Sequence, residues 1–378
     1  MRMKIGFMLL PVLLLCFTAC GQKQQKSEED LFRVAPLEGG KSLEVTGYTE
    51  TKQSVRLPAR LHGLPVTGIG RGVFARKELI NVIIPNSVTA IGDFAFAENL
   101  IIVLNIGSGV NEIGDRAFYK NRLTGVTIPK SVTTIGTEAF AENQLTGINI
   151  PNGVTNIGDR AFHKNQLTSV TIPNSITMIG TEVFWENQLT SVTIPNSVVV
   201  IGDWAFQDNQ LTSVTIPNSV TVIGAGAFFD NNLTNITIPN SVADIGAEAF
   251  AKNPLTGITI ASDNTNFVIR DSFLLSKDGT QLFLYFGSGG NVVIPNGVTT
   301  IGPGAFSYKE LTSVTIPDSV ILIGERAFSE TPLTSIVIGA NVDVDYSAFD
   351  GYFVQYSYNN YGRRAGTYLF RNNYWSRQ

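Results

Sequence analysis

The stretch LTSVTIPNSITMIGTEVFWENQ, Leu167 to Gln188, decides the fold. It recurs with few changes at Leu189 and again at Leu211. The Ile-Gly pair marks the period: Ile91, Ile113, Ile135, Ile157, Ile179, Ile201, Ile223 and Ile245 stand 22 residues apart, each followed by Gly. A fixed period of this length predicts a stack of similar coils, a repeat solenoid. Such a stack presents a long surface rather than a pocket, so binding is the leading expectation.

Each part of the unit has a physical role. LTSVTI alternates as a strand does, and its Thr, Val and Ile suit a pleated surface. Pro follows at once (Pro129, Pro151, Pro173, Pro195, Pro217, Pro239) and ends the strand, because it has no N–H to give to a ladder. Asn-Ser or Asn-Gly then turns the chain. A second apolar set, such as Val132, Ile135, Ala139 and Phe140, closes the coil from the other side. Gly136 and its equivalents predict a tight or positive-φ turn, and the segment from Gly to Phe has room for about one helical turn. The fold class is therefore a solenoid with a parallel β-sheet on one face and short or helical turns on the other. Phe96, Phe118, Phe140, Phe162, Phe184, Phe206, Phe228, Phe250, Phe306 and Phe328 should form one ladder inside it.

The outward positions separate into columns. Arg116, Glu138, Arg160 and Glu182 alternate in sign along one column; Glu98, Lys120, Glu142, Lys164 and Glu186 do so along another. Equivalent positions are neighbours in a stack, so these columns read as structural and penalise a slip in register. The strand face instead carries Ser169, Thr171, Ser191, Thr193, Ser213 and Thr215, with no charge, aromatic ring or His. These residues are either a hydroxyl ladder that keeps the sheet soluble or a broad candidate binding face. Toward the N-terminus the face turns apolar (Ile80, Ile83, Ile102, Val103), as a contact patch or an incomplete repeat near a cap would.

The pattern breaks in four places. Between Ile260 and Ile294 the spacing is one unit plus 12 residues, and Lys277-Asp278-Gly279 lies between two apolar runs, a β-hairpin signal. Loops on a rigid scaffold often carry function, so Lys277, Asp278 and Gly279 are candidate contacts, against a tolerated insertion. From Tyr346 the chain is rich in rings and arginines; Tyr352, Tyr356, Tyr361 and Trp375 are either a glycan-binding tail or a cap over the open end of the stack. Leu43 to Val66 reads as the N-terminal cap. Before it, Arg2 and Lys4 precede an apolar run from Phe7 to Phe17 that is too short to span a bilayer. That run ends Phe17-Thr18-Ala19-Cys20-Gly21.

This N-terminus resembles a bacterial lipoprotein signal, which implies lipid on Cys20. Of the two Cys in the chain, only Cys20 would remain after cleavage, so no disulfide would form within the mature chain. The organisation expected is a signal peptide at 1–19, a lipid site and tether at 20–42, and a cap at 43–68. Repeats follow at 69–260, a hairpin insertion at 261–291, further repeats at 292–349 and an aromatic cap at 350–378.

Charge is mild: 27 Lys and Arg against 31 Asp and Glu give a formal net charge of −4, with no basic run longer than a pair, which argues against nucleic acid. The two His, His62 and His163, lie about four coils apart, and no phosphate-loop signature occurs. Asp115, Asp159 and Asp203 alternate with Thr137 and Thr181, which argues against a repeated Ca²⁺ site. No enzyme, metal or cofactor is expected.

The unit LTSVTIPNSVTVIGAGAF, Leu211 to Phe228, resembles the leucine-rich repeats of BspA-type bacterial surface proteins. The hairpin and GRRAGTY at Gly362 to Tyr368 are similar to features of spirochaete members. The resemblance implies a cell-envelope protein, lipid-anchored at the outer membrane or cell surface, that adheres to host matrix or bacterial partners. A polysaccharide partner is the alternative. Where the common leucine-rich form has Asn or Cys, this chain has Ser131, Gly153, Ser175 and Ser197, so a buried Asn ladder is expected to be missing.

Overall fold

Every Ile of the Ile-Gly pairs is buried, and the backbone before it forms a two-residue strand. In the computed structural model, described for residues 28–350, 357–359, 362–371 and 374–378, these short strands pair in parallel at a 22-residue offset. Ala90, Glu112, Thr134 and Asn156 are successive partners, as are Met178, Val200, Val222 and Asp244. The whole is a parallel β-solenoid of about 14 turns.

The LTSVTI segments form the opposite face. Ser169–Thr171 pairs with Ser191–Thr193, and Asn235–Ile238 with Gly257–Ile260, again 22 residues apart. This face is the less continuous one: at 123–128, 145–150 and 211–216 no strand forms, although Leu123, Ile128, Leu145, Ile150, Leu211 and Ile216 remain buried. The more regular ladder is the one built on the Ile-Gly marker.

Between the faces, the rings from Phe74 to Phe250 stack with centroids 4.9 to 5.9 Å apart and planes within 13° of parallel. A second run joins Phe306, Phe328 and Phe349 at 4.6 Å. The ladder is thus two ladders.

A buried Asn ladder is present, contrary to expectation, because Asn occupies a different slot. Asn99, Asn121, Asn143, Asn165, Asn187, Asn209, Asn231 and Asn253 are all buried. Asn165 is typical. Its Nδ2 donates to the Phe140 carbonyl of the preceding coil at 3.0 Å and to Phe162 and His163 of its own coil at 3.1 and 3.3 Å. Its Oδ1 accepts from Leu145 N–H at 3.0 Å. One amide so bonds backbone groups of two successive coils, and each Phe carbonyl is shared between the Asn of its own coil and that of the next, as Phe140 is between Asn143 and Asn165. The Ser residues act locally: Ser131 and Ser197 Oγ donate to carbonyls one coil back, Val110 and Ile176, at 2.5 and 2.7 Å.

The turn side differs from expectation in having no helical turn, and of the two readings of its glycine the close approach is the one found. Gly136 does not adopt positive φ; a Cβ there would lie 2.6 Å from the backbone of Gly114 and Asp115, so glycine is needed for close approach between coils. Positive φ falls instead on Arg116, Glu138, Arg160 and Glu182, and on Lys120, Glu142, Lys164 and Glu186, at 50 to 58°. Two left-handed residues in each turn exclude a helical turn there. The columns pair as the alternation requires, with Arg116 on Glu138 at 2.8 Å, Arg160 on Glu182 at 2.6 Å and Lys120 on Glu142 at 3.6 Å. The Asp column has a structural role: Asp115 Oδ1 accepts from Thr137 N–H at 2.8 Å, and Asp159 from Thr181 at 2.9 Å.

Both ends are closed. The cap begins before Leu43: Phe32–Leu37, within the stretch read as tether, pairs antiparallel with Ser42–Tyr48, which pairs in parallel with Leu64–Ile69. Tyr48 stands 5.2 Å from Phe74 and covers the first ring of the ladder. At the other end Gly366–Arg371 runs antiparallel to Ser335–Ile338 and turns back into Tyr374–Arg377. An antiparallel strand on a parallel edge ends the stack.

Candidate binding surfaces

The strand face keeps the chemistry read from its sequence. Ser169, Thr171, Ser191, Thr193, Ser213 and Thr215 are all exposed. In every coil from Asn81 to Val337 the two outward positions hold only Asn, Gly, Ser, Thr, Val or Ile. Ile102 and Val103 are each 49% exposed at one end; Val293 and Val337 are 68% and 36% exposed at the other. From Asn81 to Val337 this side of the molecule is thus uncharged at its outward strand positions, hydroxyl-rich in the middle and apolar toward the ends.

The insertion is integrated rather than projecting. Phe267–Arg270, Phe273–Ser276 and Gln281–Tyr285 form an antiparallel meander, one strand more than a hairpin, and the last strand pairs in parallel with Thr300–Ile301. Lys277-Asp278-Gly279 serves the turn. Asp278 Oδ1 accepts from Ser276 Oγ at 2.6 Å and from Thr280 N and Oγ1 at 3.0 and 2.9 Å, which lowers its pKa to about 2. Lys277 Nζ donates to the Asn264 carbonyl at 3.0 Å, and the Arg270 guanidinium lies against Gly279, whose φ is 78°.

The aromatic tail covers the core. Trp375 is buried, 5.3 Å from Phe370, and Tyr358 is buried with its OH donating to the Gly339 carbonyl at 2.9 Å. Trp375 is therefore a cap residue and not an exposed ring. Tyr352, Tyr356 and Tyr361 lie outside the described residues, as does Cys20.

An aromatic cleft lies on the turn side, next to the insertion, where no column reading pointed. In the regular stack each Phe N–H donates to the Ala carbonyl one coil on, as Phe206 does to Ala227 and Phe228 to Ala249, both at 2.8 Å. At the insertion the series changes donor: the Ala305 carbonyl accepts from Tyr285 at 2.8 Å, and the Tyr285 ring lies 5.3 Å from Phe306. The meander therefore lies between Phe250 and Phe306 on the core side. On the turn side, side chains cross the break.

Those side chains form a cleft of about 360 Å³. Trp204 lies over Gly226, where any Cβ would be 1.8 Å from the indole. Phe229 stands edge-on to Trp204 at 6.0 Å and to Tyr308 at 5.3 Å. Trp185 Nε1 donates to Asp208 at 2.9 Å, which fixes that ring. Glu248 lies over Gly304, where a Cβ would be 2.1 Å from its Cγ, and reaches Arg326 at 3.6 Å. Its Oε1 is buried with no partner, and burial raises its pKa against the opposing effect of Arg326. The signal was present in sequence: the alternating column Arg-Glu-Arg-Glu gives way to Trp204, Gly226, Glu248, Gly304 and Arg326.

His163 borders this region, its ring 4.5 Å from Trp185, with Nδ1 buried and unpartnered. Burial lowers its pKa. The folded chain then binds the proton less readily than the unfolded chain, so stability should be lost as pH falls below about 6.5 toward the depressed value. Thermal unfolding followed from pH 7.5 to 5 should show this decline, and His163→Ala should flatten it. An equal decline in both proteins would assign the effect elsewhere. Among the described residues no group of three His, Cys, Asp or Glu is placed to hold a metal ion, and no helix is long and apolar enough to cross a membrane.

A stack of 22-residue coils with short strands, internal Phe and Asn ladders and an open uncharged face defines a leucine-rich-repeat protein. The family described as BspA type leucine rich repeat region (6 copies) matches residues 67–189, 155–278 and 277–373, and the chain belongs to it. Among solved structures it is similar to a leucine rich cell surface protein from Faecalibacterium prausnitzii, at 27% identity over 86% of each chain with a TM-score of 0.50. A leucine-rich repeat protein from Bacteroides ovatus matches at 22% identity, over 80% of this chain and 91% of that one, with a TM-score of 0.49. The T. pallidum leucine rich repeat protein matches at 26% identity, over 47% of this chain and 81% of that one, with a TM-score of 0.41. No curated protein matches the chain.

Proposed function

We propose that this chain is a lipid-anchored envelope protein whose solenoid contacts protein partners, on host matrix or on other bacteria, through its strand face. Family membership supports an interaction role. The observation that carries the reading is the uncharged face itself. Charged residues are depleted at the centres of protein interfaces, and here they are missing from the outward positions of every coil from Asn81 to Val337. The turn side, crowded with paired charges, offers nothing comparable. The anchor rests on the signal-like segment that ends at Cys20, and the place of action on the outer membrane or cell surface.

Two measurements test this. The purified full chain is titrated against immobilised matrix proteins and whole bacteria, beside the double variant Ser191→Glu/Ser213→Glu. Saturable binding weakened at least tenfold by the variant, with its unfolding midpoint unchanged, supports the face. Binding that ignores these charges rejects it. Separately, Cys20→Ser should move the protein from the membrane fraction to the soluble fraction; retention in the membrane would remove the anchor from the account.

A further inference from the structure

We propose that the cleft beside the insertion is a binding subsite for a neutral sugar ring of a glycan chain. It is separate from the strand face and does not depend on the protein-contact reading.

The first argument concerns what stacking requires. Elsewhere on this column the repeat uses tightly paired Arg and Glu: Arg116 holds Glu138 through two bonds of 2.8 Å, and Arg160 holds Glu182 through two of 2.6 Å. Trp204 and Glu248 replace that arrangement, and each lies over a coil whose residue is Gly, where no side chain would fit beneath. The two substitutions thus open the column where the insertion interrupts the stack. The Glu248 to Arg326 pair is loose, at 3.6 Å. A hydroxyl can bridge such a gap by donating to the carboxylate and accepting from the guanidinium.

The second argument selects the ligand by elimination. Trp185, Trp204 and Tyr308 are partly exposed, and partly exposed rings favour a ligand with an apolar face. A cationic ligand is disfavoured because a cation already occupies those rings: Lys252 Nζ lies 5.8 Å from the Phe229 centroid and 5.7 Å from Tyr308, paired with Asp230. An anionic ligand meets Glu182 and Glu248, both of which line the cleft. What remains is uncharged, carries several hydroxyl groups and has a flat C–H face. A pyranose ring meets all three conditions, with Trp185 and Trp204 as platform and Gln207, Glu248 and Arg326 as hydrogen-bonding partners. The volume lies at the lower end of the range for small-molecule sites, about 300–1,000 Å³.

The test uses intrinsic fluorescence, because two of the three Trp, Trp185 and Trp204, stand at the site. The full chain is screened against neutral hexose and N-acetylhexosamine oligosaccharides, then titrated with the binders, with sialylated glycans and with tetramethylammonium. We expect saturable quenching by a neutral oligosaccharide and little by the other two. Trp204→Ala and Tyr308→Ala should each raise the dissociation constant at least tenfold. Glu248→Gln, which removes a buried carboxylate without removing volume, should weaken binding while leaving the unfolding midpoint unchanged or higher, so the test survives if Trp204→Ala fails to fold. Failure of every neutral glycan to saturate the site, preference for an acidic glycan or for tetramethylammonium, or undiminished binding by Glu248→Gln would overturn the proposal. Matrix-protein binding through Ser191 and Ser213 is measured on the same variants and should not change.

Discussion

Asn165→Ala should destabilise the protein by about 1–3 kcal/mol, the cost of one buried backbone donor left without a partner. The reason is its place in the ladder. Asn165 supplies a donor to Phe140 and Phe162 and an acceptor to Leu145. Removing it leaves the buried Leu145 N–H without its acceptor, at about 1–3 kcal/mol, while the Phe140 and Phe162 carbonyls each keep one donor, Asn143 and Asn187. Asn235→Ala is the control, since Asn235 is exposed and its amide reaches only the neighbouring Thr234 Oγ1 at 3.3 Å. Denaturant unfolding of both variants decides: equal midpoints would show that the ladder contributes little.

Phe162→Ala should cost about 3–5 kcal/mol, the range for truncating a fully buried aromatic ring. Phe162 has no exposed surface and stacks on Phe140 at 5.9 Å and on Phe184 at 5.7 Å. In a stack the loss acts on nearest neighbours. Hydrogen exchange should therefore accelerate most in the coils of Phe140 and Phe184 and less toward the insertion, where the meander separates Phe250 from Phe306. Uniform acceleration along the chain would contradict coil-by-coil coupling and require a single cooperative core.

Much of this was legible in the residues, because a repeat converts sequence position into spatial neighbourhood. The burial of the Phe column, the pairing of Arg116 with Glu138 and the outward Ser and Thr positions follow from period and alternation alone. The errors have local physical causes. Ser131 holds the slot where a leucine-rich repeat usually has Asn, which hid the ladder built by Asn143 and Asn165 in another slot. Gly136 reads as a tight or a positive-φ turn; coil spacing is what demands glycine there, and Glu138 takes the left-handed conformation. The cleft went unread because it depends on the meander: only once Tyr285 replaces Phe250 as donor to Ala305 do Phe229, Glu248 and Arg326 meet across the break. The hairpin signal at Asp278-Gly279 was sound for its turn, but the preceding strand Phe267–Arg270 made the insertion a meander.

The stacking of coils in phase is tested most directly by cysteine pairing. In a full chain with Cys16 and Cys20 replaced by Ser, one protein carries Ser169→Cys with Ser191→Cys and a second carries Ser169→Cys with Ser213→Cys. Ser169 and Ser191 are register partners on adjacent coils, about 4.8 Å apart and within the span of a disulfide. Ser169 and Ser213 are two coils apart, about 10 Å. The account predicts rapid intramolecular oxidation of the first pair and none of the second; oxidation of the second pair, or reduced thiols in the first, would contradict it.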